Sequence, residues 1–79
     1  MAVTYILESI KNGRRYVGST DDIQQRLKHH NSGANKSTKP YRPWKVIYTE
    51  DFDTKPDAFK REMQIKSYKG GRAFKELIS

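Results

Sequence analysis

Val3-Thr4-Tyr5-Ile6-Leu7-Glu8-Ser9, then Lys11-Asn12-Gly13-Arg14, then Arg15-Tyr16-Val17-Gly18-Ser19: this opening stretch decides the fold. Its first run is rich in β-branched and aromatic residues and reads as a strand. Asn12-Gly13 is a strong short-range hairpin signal, because both residues tolerate positive φ. The spacing predicts a returning strand through Tyr16 and Val17, with Gly18 ending it or admitting a close neighbour. Thr20-Asp21-Asp22 reads as a helix start, with a hydroxyl cap and two carboxylates in the positive first turn. Ile23 and Leu27 supply that helix with an inward stripe, and Gly33 closes it.

Beyond the first helix, Ser32 to Pro43 is polar and basic with two prolines, and reads as a loop. Trp44-Lys45-Val46-Ile47-Tyr48-Thr49 alternates and returns to strand. Thr54-Lys55-Pro56-Asp57 is a second helix start, with proline tolerated in the first turn. That helix is expected to run to about Tyr68 and stop before Gly70-Gly71. Ala58, Ile65 and one of Phe59 or Met63 are expected to face the core. Arg72 to Ile78 can form a short third helix. The predicted order is β-hairpin, helix, β, helix, helix: an α+β fold with helices on a three-stranded sheet, one domain over residues 1–79.

The chain has 79 residues, of which 34% are hydrophobic. That supports one small core and not two. Cysteine is absent, which excludes disulfides and cysteine-based zinc sites, and His29 and His30 alone cannot build a structural zinc site. No apolar run approaches the ~20 residues of a membrane span. No charged segment leads into an apolar stretch at Met1-Ala2-Val3-Thr4, so no signal peptide is visible. The expectation is a small cytoplasmic domain without a membrane partner.

Sixteen Lys and Arg against nine Asp and Glu leave a formal charge of +7. No acid lies between Ile23 and Thr49, where Arg26, Lys28, Lys36, Lys39, Arg42 and Lys45 are all basic. A second cluster, from Lys60 to Lys75, contains a single acid, Glu62. Clustered cations are the footprint of a polyanion binder, most often of nucleic acid. A soluble surface that is merely basic is the alternative.

Three groups are candidates for chemistry. Tyr5 and Tyr16 lie on the two strands of the predicted hairpin. Aromatic cross-strand packing accounts for them, as does a phenol whose proton is moved under the influence of nearby cations. Arg26 and His30, four apart, share one helical face. That pairing suits a phosphate, with the guanidinium gripping two oxygens and the imidazole handling a proton; a solvated basic face is the alternative. Glu62 is an acid within Lys60-Arg61-Glu62-Met63-Gln64-Ile65-Lys66. It is either the partner of Lys66 in an intrahelical pair worth ~0.3–0.5 kcal/mol, or a ligand for magnesium, which accepts few protein carboxylates and keeps water and phosphate oxygens.

In this order the residues resemble the GIY-YIG nuclease superfamily, most closely its small stand-alone members. The signature elements are Val3-Thr4-Tyr5 and Tyr16-Val17-Gly18, then Arg26 to Gly33 with Arg26 and His30, then Glu62 with Lys66, together spanning roughly Val3 to Ile78. The resemblance implies a three-stranded antiparallel sheet flanked by helices and metal-dependent hydrolysis of a DNA phosphodiester. On that basis Tyr16 is the general base and Tyr5 places the attacking or metal-bound water. Arg26 stabilises charge on the phosphate, Glu62 holds one Mg²⁺ or Mn²⁺, and His30 assists proton transfer or contacts phosphate. Lys28, Lys36, Lys39, Arg42, Lys66 and Lys69 are the candidate nucleic-acid contacts. Flapped, branched or damaged DNA are candidate substrates, RNA is a second nucleic acid to consider, and a protein partner is a candidate source of specificity. A module of the same fold that binds nucleic acid without cutting it is the alternative reading.

Two departures stand out. Val3-Thr4 replaces Gly-Ile, and Ser19 follows Gly18 where excision-repair relatives place a lysine that aids the tyrosine. Lys36, Lys39 or the metal are the candidates to replace that lysine. Tyr5, Tyr16, Arg26 and Glu62 are expected to converge on one concave, positively charged patch at the sheet surface.

Overall fold

The computed structural model describes residues 1–79. β1 (Ala2–Ser9) and β2 (Arg15–Thr20) form the expected antiparallel hairpin. Gly13 takes φ +77° at its turn, and its N–H donates to the Ser9 carbonyl at 2.9 Å. β3 (Trp44–Phe52) pairs antiparallel with the other side of β1, so the order is β2-β1-β3. β1 is therefore central and β2 is an outer strand.

Side chains alternate across the sheet, and both faces are covered. α1 (Ile23–Ser32) and a 3-10 turn (Lys39–Tyr41) lie on the face of Tyr5, Leu7 and Trp44, where Val3, Tyr16, Ile23 and Leu27 also pack. α2 (Lys55–Ser67) and α3 (Arg72–Ile78) lie on the other face, over Ile6, Ile65 and Phe74. Burial on both sides explains why Tyr5-Ile6-Leu7 is a continuous apolar run rather than an alternation. No helix is long and apolar enough to cross a membrane.

The structure corrects several local expectations. The α1 cap is Asp22, whose Oδ1 accepts the Gln25 N–H at 3.1 Å, and the first turn holds no acid. Thr20 is instead claimed by strand pairing with Val3, and its Oγ1 accepts the Asp22 N–H at 3.2 Å. Of the two expectations for Gly18, the close neighbour holds: it lies inside β2, opposite Tyr5, whose hydroxyl fills the space beside it, and it does not end the strand. β3 continues to Phe52, past the expected Thr49. On α2, Ala58 and Ile65 are buried as expected, but Phe59 and Met63 are 54% and 49% exposed. The third inward residue is Glu62, because Ala58, Glu62 and Ile65 follow the i, i+4, i+7 stripe. A carboxylate is tolerated there because its oxygens are satisfied, as described below. The other boundaries agree: Thr54 caps α2, Tyr68 ends it, and Gly33 at φ +83° closes α1.

Candidate active site

Tyr5 and Tyr16 come together through the hairpin register. Tyr5 faces Gly18 and Leu7 faces Tyr16, so the two tyrosines are diagonal neighbours, with ring centroids 6.4 Å apart. His30, from the last turn of α1, packs against both rings, at 4.8 Å from Tyr16 and 6.2 Å from Tyr5. The Tyr5 hydroxyl is 3.2 Å from His30 Nε2, and His30 Nδ1 is 3.0 Å from Thr38 Oγ1. Thr38 in turn gives its hydroxyl proton to the Asn35 carbonyl at 3.4 Å. This chain of donors places the imidazole proton on Nδ1, leaving Nε2 to accept from the Tyr5 O–H.

Burial, reinforced by the positive charges of Arg26 and His29, pushes the His30 pKa below its ordinary value, so the ring is neutral. Burial also raises the Tyr5 pKa; Tyr16 and the negative charge of Glu62 act in the same direction, and Arg26 opposes them. Tyr5 therefore keeps its proton, and both nitrogens of His30, only 1% exposed, are engaged inside the protein. Tyr16 differs. It is half-buried, and its hydroxyl has no hydrogen-bond partner within the chain.

Glu62 approaches from the opposite face of the sheet, at its β2 edge. The Ser19 hydroxyl donates to Glu62 Oε1 at 2.7 Å and the Lys66 ammonium to Oε2 at 2.6 Å. Ser19 points toward α2 because it alternates with the inward-facing Gly18 and Thr20. Residue parity along β2 was the signal that could have identified it as the partner of Glu62. The donor set is one buried carboxylate and one hydroxyl, hard oxygen ligands of the kind that suit Mg²⁺ or Mn²⁺. No group of three or more His, Cys, Asp or Glu side chains gathers anywhere. The residues thus fit a cation held mainly by water and phosphate, and Lys66 shows that this carboxylate already accepts a positive charge.

Arg26 lies on the exposed side of α1, and its guanidinium makes no ion pair. It borders a cleft with Ser19, Thr20, Lys55 and Phe59. Tyr16 borders a separate cleft with Arg15, Ile65, Lys66 and Lys69. The two clefts flank β2 rather than merging into the single concavity expected, and the residues meet electrostatically across that edge, since Tyr16, Arg26 and Glu62 all act on the Tyr5 phenol.

Lys28, Lys36, Lys39, Arg42, Lys66 and Lys69 are all exposed. Of these only Lys66 has an acidic partner; the others leave their charge uncompensated. Lys36 and Lys39 lie on the segment after α1, whereas the lysines beside Tyr16 are Lys66 and Lys69. Lys66 and Lys69 thus line the cleft at the β2 edge, whereas the Tyr16 ring itself packs against His30 and Trp44 on the α1 face. Thr38 was also missed by sequence reading, since nothing local marks a loop hydroxyl as the partner of a buried imidazole.

A small antiparallel sheet carrying a neighbouring tyrosine pair, an arginine on the following helix and a glutamate on the next is the arrangement of a GIY-YIG domain. The family model described as the GIY-YIG catalytic domain matches residues 1–74, and the chain belongs to that family. It is 44% identical over 70 residues to a UPF0213 protein of Staphylococcus saprophyticus, covering 87% of this chain and 84% of that one. A UPF0213 protein of Halobacterium salinarum is 39% identical over 75 residues, 94% of each chain. The solution NMR structure of a UPF0213 protein from Bacillus halodurans matches with a TM-score of 0.54 at 36% identity, over 96% of this chain and 80% of that one. GIY-YIG nucleases generally depend on a divalent metal.

Proposed function

We propose that this protein is a metal-dependent endonuclease that hydrolyses DNA phosphodiesters, with Tyr16 as general base. The observation that carries the reading is the contrast between the two phenols. Tyr5 is buried and bonded to His30, while the Tyr16 hydroxyl is unpartnered and its residue borders a cation-lined cleft. A base must reach its proton within hydrogen-bond range, and only Tyr16 is free to do so.

In this mechanism Tyr16 first gives its own phenolic proton to solvent and then, as phenolate, takes one from the attacking water, while Tyr5, held by His30, orients that water. Arg26, free of any acid partner, bears on the phosphate as negative charge builds on its oxygens. A divalent cation bound at Glu62 would act as Lewis acid toward the phosphate. Lys69, Lys28, Lys36, Lys39 and Arg42 supply sequence-independent attraction to the backbone. With so small a site, structure rather than sequence is the expected basis of selection, so flapped, branched and damaged DNA belong among the substrates tested, with RNA and a specificity-giving protein partner as further arms.

The test is nicking of supercoiled plasmid and cleavage of these labelled DNAs with Mg²⁺ or Mn²⁺, comparing wild type with Glu62→Gln and Arg26→Ala. Cleavage that needs metal and is lost in both variants supports the reading. Salt-steep binding without cleavage, indifferent to Glu62→Gln, would instead identify a binding module of the same fold.

A further inference from the structure

Lys66 is the cation tied to the candidate metal ligand itself. Its ammonium donates to Glu62 Oε2 at 2.6 Å, while Ser19 occupies Oε1. The glutamate is nearly buried, with 11% of its side chain exposed, against 45% for Lys66. A carboxylate withdrawn this far from water needs a positive partner. The lysine, by contrast, sits on a flexible stem at the mouth of the Tyr16 cleft, beside Lys69 and Arg15.

We propose that Lys66 is a resident counter-ion that competes with the metal for Glu62, so that metal binding is an exchange of one cation for another. Ser19 keeps its bond to Oε1 and holds the carboxylate in place, while Oε2 is released to the incoming ion. The displaced ammonium then faces the cleft it already borders with Tyr16. In that position it adds a free cation to the cleft beside Lys69. Metal-free protein thereby keeps its glutamate paired and its fold intact. This inference rests on the reading of Glu62 as the metal ligand.

Mn²⁺ binding to DNA-free protein, followed by the loss of the free-ion EPR signal, separates the two ideas. Lys66→Met and Lys66→Gln are expected to bind Mn²⁺ roughly three- to tenfold more tightly than wild type, as removal of a competing ion pair requires. Lys66→Arg, which keeps the pair, is expected to match wild type, and Glu62→Gln to abolish binding in either background. Lys69→Met removes the same charge nearby without freeing an oxygen. An equal gain from Lys69→Met would reduce the effect to general electrostatics and overturn the proposal. Unchanged affinity in Lys66→Met and Lys66→Gln, with Glu62→Gln still abolishing binding, would overturn the exchange and leave the metal reading standing. Absence of Mn²⁺ binding in every variant would overturn both.

Discussion

Gly18 lies directly opposite Tyr5 in the sheet, and a Cβ on Gly18 would sit 2.5 Å from the Tyr5 hydroxyl oxygen. The phenol occupies the space that a side chain at position 18 would fill. Because the hydroxyl is buried and tied to His30, it cannot step aside freely. Gly18→Ala is therefore expected to destabilise the fold by about 1–3 kcal/mol through overpacking, read from the denaturant midpoint. A midpoint equal to wild type would mean that Tyr5 is not fixed against β2.

The two tyrosines should separate in stability. Tyr5→Phe strands a buried imidazole nitrogen and is expected to cost about 1–3 kcal/mol. Tyr16→Phe removes a hydroxyl without a partner in the chain and should stay within about 0.5 kcal/mol of wild type. Chemical denaturation of the two variants side by side checks this, and equal losses would contradict the difference drawn between the phenols.

His30 sets a pH dependence with a definite sign. Its pKa in the fold is depressed, by burial first and then by Arg26 and His29. The unfolded chain takes up this proton as pH falls past about 6.5, and the folded chain does so only at lower pH. Stability from this group is therefore fully present above about 6.5 and is lost as pH falls from there through the folded value. Unfolding free energies at about pH 7.5 and about pH 5.5 are expected to drop more for wild type than for His30→Gln. A parallel drop in both would show that His30 carries no such linkage.

Facing on α2 gives a simple contrast. Ile65 is 1% exposed and packs with Ile6 and Phe74, while Met63 is 49% exposed. Ile65→Ala is expected to cost about 2–5 kcal/mol, and Met63→Ala less than about 0.5 kcal/mol, both measured by thermal or denaturant unfolding. Comparable losses would mean that α2 is rotated from the orientation described.

Much of this arrangement was legible in the sequence where one strong local preference acts alone. Gly13 closes the hairpin loop at positive φ, Gly33 stops α1, and Thr54 with Pro56 starts α2, each because few residues suit those backbone positions. Where two residues compete, local reading fails. Thr20 and Asp22 are both good caps, and only pairing with Val3 assigns Thr20 to the strand. Hydrophobicity pointed to Phe59 or Met63 as core, yet the inward row of α2 takes Glu62, because Ser19 and Lys66 wait there to satisfy it. Those partners are 43 and 4 residues away; parity along β2 gives the face of the distant one, but not that Glu62 lies over it. Nor does any local pattern show the lysines beside Tyr16, which come from the far end of the chain.

The most direct test of the central claim is single-turnover cleavage of a labelled DNA by Tyr16→Phe, with DNA affinity measured in parallel. The expected result is a cleavage rate lower by about 10²–10⁴, the range of a lost general base, with affinity and unfolding midpoint unchanged. A Tyr16→Phe protein that binds and cuts at the wild-type rate would contradict it.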